Sequence, residues 1–350
     1  MLTDPHDNIP VKIRTFPASL FSCLALLSAV ALLAGCGGGG SKPAPQGVSN
    51  RPGLVSMKLL VTDPSNTSGP VTLRTGMIFG NENDTTMTLV SGSTGTWEAT
   101  ISAPEGTILR YTYRLNGDWD REESYEHRQG QFHFREVLVV KNAVVNDTIA
   151  CWEGSLATGS TGTLIGTVTD QIWQPVMGAA VSAGPYQTMT RWDGSYSIKG
   201  VPAGPCSVTV HTDNGEYQPK MAEATVPAAG TATKDFMLAS ASSVTVTFRV
   251  TVPVDTPANA VPRIYGDAYR LGMFPVFEGS AIDPSRAIDL TSTSGRTWTY
   301  AAVLGKGSCY QYRYTLGDFR INHERDAIGA DVVRSFCVTG AMTLDDTVVS

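Results

Sequence analysis

The chain has 350 residues, room for two or three cores, and carries 26 Lys and Arg against 32 Asp and Glu, a net charge of −6. An acidic balance excludes nucleic acid as a partner, because phosphate binding needs a basic face. Hydrophobic residues at 42% exclude disorder, and 35 Gly, 20 Pro and only 17% charged residues favour turns and strands over helices, so the expected class is all-β. In chain order, Lys12 and Arg14 come first, and Phe16 to Leu33 follows as an uncharged run of apolar and small residues. Small residues then lead to Cys36. A basic start, an apolar run and small residues before a cleavage point predict a secretory signal peptide over 1–35, with a retained anchor helix as the alternative. Gly37 to Gly40 and then Ser41-Lys42-Pro43-Ala44-Pro45 read as a flexible and then stiffer tether, 36–53.

Leu33-Ala34-Gly35-Cys36 resembles the lipobox of bacterial lipoproteins. The resemblance implies that the Cys36 sulfur is diacylated and that the protein is exported and anchored to a membrane by lipid. Gly37, where an Asp would signal inner-membrane retention, favours the outer membrane or cell surface. Export permits disulfides. Outside the signal and the lipid-bearing Cys36, four cysteines remain: Cys151, Cys206, Cys309 and Cys337. Cys309 opens one predicted strand and Cys337 lies in another; if these are antiparallel neighbours, the two can bridge. Cys151 and Cys206 are then left free or joined across domains.

From Val55 onward short alternating runs are separated by turn signals, the pattern of β-sandwiches. Ser91-Gly92-Ser93-Thr94-Gly95, Pro104-Glu105-Gly106 and Asn116-Gly117-Asp118 are predicted turns. Gly154 to Gly162 is a Gly/Ser/Thr linker, and composition shifts again near Ala239 to Ser243. The domains read as 54–153, a linker at 154–161, then 162–239 and 240–350.

The first and third domains repeat each other. Tyr111-Thr112-Tyr113-Arg114-Leu115 resembles Tyr312-Arg313-Tyr314-Thr315-Leu316, Gly95-Thr96-Trp97 resembles Gly295-Arg296-Thr297-Trp298, and Asn146-Asp147-Thr148-Ile149 lies like Asp345-Asp346-Thr347-Val348. Both copies are similar to starch-binding carbohydrate-binding modules. The third offers Val252-Pro253, Gly266, Trp298, Tyr312 and Tyr314, Asp318-Phe319 with Glu324, Arg334 and Asp346-Thr347-Val348. The first offers Gly80, Trp97, Tyr111 and Tyr113, Asp118-Trp119 with Glu122, Arg135 and Asp147-Thr148-Ile149. The resemblance implies a polysaccharide partner of α-glucan type. It places the sugar contacts at Trp119, Asp118, Glu122 and Arg135, and at Phe319 and Tyr269 in the third domain. The second aromatic platform of that family has no counterpart here beyond Tyr269. Trp97 and Trp298 read as core residues.

The middle domain has Gly166-Thr167-Val168-Thr169-Asp170, Pro175-Val176-Met177-Gly178-Ala179-Ala180-Val181, Asp193-Gly194-Ser195-Tyr196-Ser197-Ile198 and Val201-Pro202-Ala203-Gly204. It resembles the carboxypeptidase regulatory-like domain, a small transthyretin-like sandwich. The expected architecture is thus three tandem Ig-like or transthyretin-like β-sandwiches behind a lipoprotein signal peptide.

Catalysis is not expected. Glycoside hydrolysis needs two carboxylates across a cleft, whereas Asp118, Asp120, Glu122 and Glu123 share one short hairpin. His127, His133, His211 and His323 have no nucleophile context, and no Cys/His spacing suggests zinc. No cofactor and no metal are expected. The leading expectation is a non-enzymatic surface lipoprotein that binds polysaccharide. The alternative is a structural or protein-interaction scaffold whose Ig-like domains lack a sugar site and meet an extracellular protein partner.

Overall fold

The computed structural model describes residues 53–64, 69–76, 83–124, 134–154, 160–272, 286–317 and 322–349. Cys36, nearly all of the tether and most of the predicted linker lie outside these residues. The described residues belong to one compact unit, Gln46–Ser350.

The first sandwich contains β1 (Leu54–Thr62), β2 (Val71–Thr75), β3 (Asn83–Thr86), β4 (Thr88–Leu89), β5 (Thr96–Pro104), β6 (Ile108–Leu115), β7 (Glu123–Ser124), β8 (Arg135–Leu138), β9 (Val144–Thr148) and β10 (Cys151–Trp152). Its two sheets run β4-β5-β1-β9 and β3-β2-β6-β8, and β10 pairs with β7. Strand alternation fills the space between the sheets. Met57, Leu59 and Val61 point inward from β1, and Tyr111 and Tyr113 do so from β6.

The middle sandwich contains β11 (Thr161–Asp170), β12 (Ala180–Ala183), β13 (Tyr186–Met189), β14 (Ser195–Pro202), β15 (Gly204–His211), β16 (Lys220–Val226), β17 (Thr231–Thr233) and β18 (Phe236–Leu238). One sheet runs β14-β11-β17, with β18 also on β11; the other runs β13-β12-β15-β16. The predicted Asp193-Gly194 turn is present. Gly194 has φ +75°, and a Cβ there would stand 2.5 Å from the Val168 carbonyl oxygen, so only glycine fits.

The third sandwich contains β19 (Ser243–Thr251), β20 (Arg263–Gly266), β21 (Ile288–Asp289), β22 (Thr291–Ser294), β23 (Thr297–Gly305), β24 (Cys309–Thr315), β25 (Arg334–Cys337) and β26 (Met342–Thr347). Its sheets run β22-β23-β19-β26 and β21-β20-β24-β25, the same order as the first sandwich strand for strand. In both, the first strand pairs in parallel with a late one, β1 with β9 and β19 with β26. The described residues are all-β, as the composition implies.

The three bodies touch one another. Glu136 of the first sandwich receives hydrogen bonds from Arg110 Nε (2.7 Å) and from Ser182 Oγ of the middle one (2.7 Å), and His211 Nε2 lies 3.0 Å away. Asp267 of the third sandwich stands 4.0 Å from Arg110. Gly305 N donates to Asn214 O (2.7 Å), and a Cβ on Gly305 would collide with the Gly215 carbonyl.

Candidate functional site

Alternation places Tyr111 and Tyr113 on one face of β6, where both hydroxyls donate to Asp147 Oδ2 at 2.7 and 2.8 Å. Arg135 on β8 completes this arrangement. It donates to Asp147 Oδ1 (2.8 Å), to both Glu123 oxygens (2.9 and 2.8 Å) and to the Thr148 carbonyl (2.8 Å). Its guanidinium also sits 5.3 Å from the Tyr113 ring centre. Burial, then the Asp147 charge, push both tyrosine hydroxyls well above their ordinary pKa, so they remain donors. The group joins the two sheets, since β9 belongs to one and β6 and β8 to the other, and it ties down β7 through Glu123.

The third sandwich repeats the arrangement. Tyr312 and Tyr314 each donate to Asp346 Oδ2 at 2.8 Å. Arg334 donates to Asp346 Oδ1 (2.9 Å), to Glu324 Oε2 (3.1 Å) and to the Thr347 carbonyl (3.1 Å).

The structure departs from the sequence expectation at two residues. Arg135 is only 1% exposed and its donors are occupied by its own sandwich, so it is a latch and not a sugar contact. The residue equivalent to Glu324 is Glu123 and not Glu122, because each of those two carboxylates holds the latch arginine. The sequence pattern could not choose between adjacent glutamates that point in opposite directions.

The latch holds the segment that carries the predicted contacts. Asn116 and Gly117 adopt φ 58° and 69°, as a tight hairpin turn requires. Exposed Asp118 then caps a single 3₁₀ turn, Trp119–Arg121, by accepting from Asp120 N (3.1 Å). Glu122 follows, half-buried, 3.5 Å from Arg114 Nη2, and its burial raises the carboxyl pKa. The Trp119 side chain lies outside the described residues, as do Asp318 and Phe319. Tyr269 opens the 3₁₀ turn Tyr269–Leu271 after β20 and is about half exposed. The third sandwich also carries an open cleft of about 600 Å³ lined by Pro253, Pro257, Pro262, Leu316, His323 and Glu324.

Cys309 and Cys337 stand opposite each other in register on β24 and β25 and are joined by a disulfide. Cys151 and Cys206 are not. Burial pushes the Cys206 thiol up to about 11. Trp97 and Trp298 are half-buried and pack against the core edge instead of filling it. Trp152 does fill it: the indole is 2% exposed and its Nε1 donates to Asp63 at 3.0 Å. The run Ile149-Ala150-Cys151-Trp152, continuing past β9, was the available signal for that residue. Among the described residues no cluster of His, Cys, Asp or Glu could hold a metal ion, and no helix is long and apolar enough to cross a membrane.

Residues 163–239 match the carboxypeptidase regulatory-like domain family, which covers the middle sandwich. A search of curated proteins returns no match. Among solved structures, a glycoside hydrolase family 15 glucoamylase from Hypocrea jecorina is 21% identical over 31% of this chain and 17% of its own, with a TM-score of 0.23. The Bacillus anthracis TIE protein is 11% identical over 85% of this chain and 50% of its own, at 0.21. A streptococcal ancillary pilin is 10% identical over 84% of this chain and 99% of its own, at 0.25.

Proposed function

We propose that the chain is a non-catalytic lipoprotein of the cell surface that binds a polysaccharide of α-glucan type through loops of its starch-binding-like sandwiches. The observation that supports this most is the repeated latch. The same Arg, Glu, Asp and two Tyr recur in both outer sandwiches, and in the first they hold down a segment carrying Asp118, Trp119 and Glu122. A binding loop that is already ordered loses less entropy when ligand arrives. In this reading the Trp119 indole stacks on a pyranose face while Asp118 and Glu122 accept from hydroxyls. Cys36 supplies the anchor through two acyl chains, which hold a protein at a membrane far better than one.

The test is electrophoresis of the full chain through gels containing soluble starch or glycogen. Retardation is expected, weakened in Trp119→Ala, with affinity on the order of 10 μM to 1 mM. Fatty-acid labelling that marks the chain but not its Cys36→Ser variant tests the anchor. A second reading, a scaffold without a sugar site, is favoured by the three-way contact around Glu136, which makes the body a stiff spacer. Migration unchanged by every glucan tried would establish that second reading over the first.

A further inference from the structure

The middle sandwich carries an aromatic tip that neither its core nor the latches use. β11 and β14 pair antiparallel with Thr167 opposite Ser195, so the turn leaving β11 lies beside the turn entering β14. Val168 N donates to Gly194 O (2.9 Å), which joins the two turns, and a bridge from Thr169 to Pro175 closes the first turn on itself. Each turn displays a tryptophan to solvent. Trp173 is 73% exposed and Trp192 78%, with Ile172 and Met177 exposed beside them. Isolated exposed aliphatics are ordinary, whereas two indoles this exposed on adjoining turns leave apolar area that burial would stabilise.

The turns are built to hold these rings out. Trp173 has φ +65°, a region that suits glycine or asparagine and is costly for a bulky residue. It is kept there by Asp170, whose Oδ1 accepts from Ile172 N (2.9 Å) and Gln174 N (2.8 Å) and whose carbonyl accepts from Trp173 N (3.1 Å). On the second turn Asp193 accepts from Ser195 N (3.0 Å) and Ser195 Oγ (2.6 Å), and Gly194 N donates to Arg191 O (2.9 Å). Both rings are therefore presented on preformed supports.

The surroundings select the occupant. Asp170, Arg191 and Asp193 give the tip a slight negative charge in a chain of net −6, which disfavours an anionic bilayer. Gln171 and Gln174, exposed in the same turn as Trp173, can both donate to and accept from hydroxyls. Flat apolar faces with hydrogen-bonding groups at their edges fit pyranose rings, which have an apolar face and a rim of hydroxyls. We propose that Trp173 and Trp192 form a second platform for neutral polysaccharide, on the middle sandwich. This rests on the carbohydrate reading above and assigns part of the contact to a domain outside the repeated pair.

The full chain carrying Cys36→Ser, so that no acyl group contributes, is run through gels containing soluble starch, hydroxyethylcellulose or xylan. It is compared with the same chain bearing Trp173→Ala and Trp192→Ala, and separately Trp119→Ala. The double tip variant is expected to bind about tenfold or more weakly with an unchanged melting temperature, and Trp173→Phe with Trp192→Phe to recover most of the loss. Full retardation of the tip variant, with loss in Trp119→Ala, overturns the platform and leaves the carbohydrate reading standing. No retardation of the parent chain in any gel sinks both. Unchanged retardation of the tip variant together with lost sedimentation on phosphatidylglycerol vesicles makes the tip a lipid contact and overturns the proposal.

Discussion

The first and third sandwiches share one latch but not one environment. Arg135 is 1% exposed, whereas the Arg334 side chain is 19% exposed. The difference comes from the neighbour: a Cβ on Gly184 of the middle sandwich would stand 3.6 Å from Arg135 Nη1, so the middle domain caps the first latch. Each sandwich is stapled differently too. The first closes with Trp152 bonded to Asp63; the third closes with the Cys309–Cys337 disulfide across β24 and β25. Even the buried arginine of the middle strand differs. Arg114 beside Glu122 in the first corresponds in sequence to Thr315, and Arg313 facing Asp331 in the third corresponds to Thr112. The same strand order thus tolerates different closures provided that each buried charge keeps a partner.

The sharpest way to break the comparison is at the latch. Arg135→Met leaves Glu123 and Asp147 buried without their cation and is expected to cost about 3–5 kcal/mol. Arg334→Met should cost clearly less, because water reaches that site. Urea denaturation of the two variants measures both, and equal losses would show that capping by the middle domain is irrelevant. Next in size is the disulfide. Its 28-residue separation predicts about 3–4 kcal/mol lost in Cys309→Ser with Cys337→Ser. The loss should be confined to the third sandwich when hydrogen exchange is read by peptide.

A pH series then separates the two sides of the junction. Burial raises the Asp267 carboxyl to about 6, with Arg110 opposing. Between its ordinary value of 3.8 and about 6 the unfolded chain has released a proton that the folded chain retains, so this group lowers stability as pH rises through that window. Asp267→Asn should therefore gain about 2–3 kcal/mol at pH 7 and nothing below pH 4. Glu136 behaves oppositely. Burial alone would raise it, but Arg110 and His211 hold it well below its ordinary value, so its contribution is lost as pH falls through the acid range. The smallest effect expected is that of Trp152→Phe, which removes the donor to Asp63 and should cost about 1–2 kcal/mol in the first sandwich alone. Differential melting curves would register it.

Much of the fold was readable from residues because β-structure declares itself locally. Met57, Leu59 and Val61 are buried at every second position of β1, and the Asn116-Gly117 and Asp193-Gly194 turns need the positive φ that Asn116, Gly117 and Gly194 adopt. The repeated Tyr-x-Tyr and Asp-Thr pieces also revealed that the outer sandwiches share a plan. The site was less readable. Arg135 lies in the same strand context whether it faces a sugar or a carboxylate, and Glu122 and Glu123 are adjacent, so only their side of the strand distinguishes a loop residue from a latch residue. No sequence signal marks Trp173 and Trp192, since a tryptophan in a turn is as compatible with a packed loop as with an open tip.

The strands, the turns and the twofold repeat are local properties of the residues, because alternation and turn chemistry act over a few positions. Tertiary structure alone decided which charges are buried, which indoles are exposed and how three sandwiches meet around Glu136. Those outcomes depend on pairs such as Arg135 with Gly184 and Arg110 with Asp267, far apart in the chain, whose proximity no local pattern encodes.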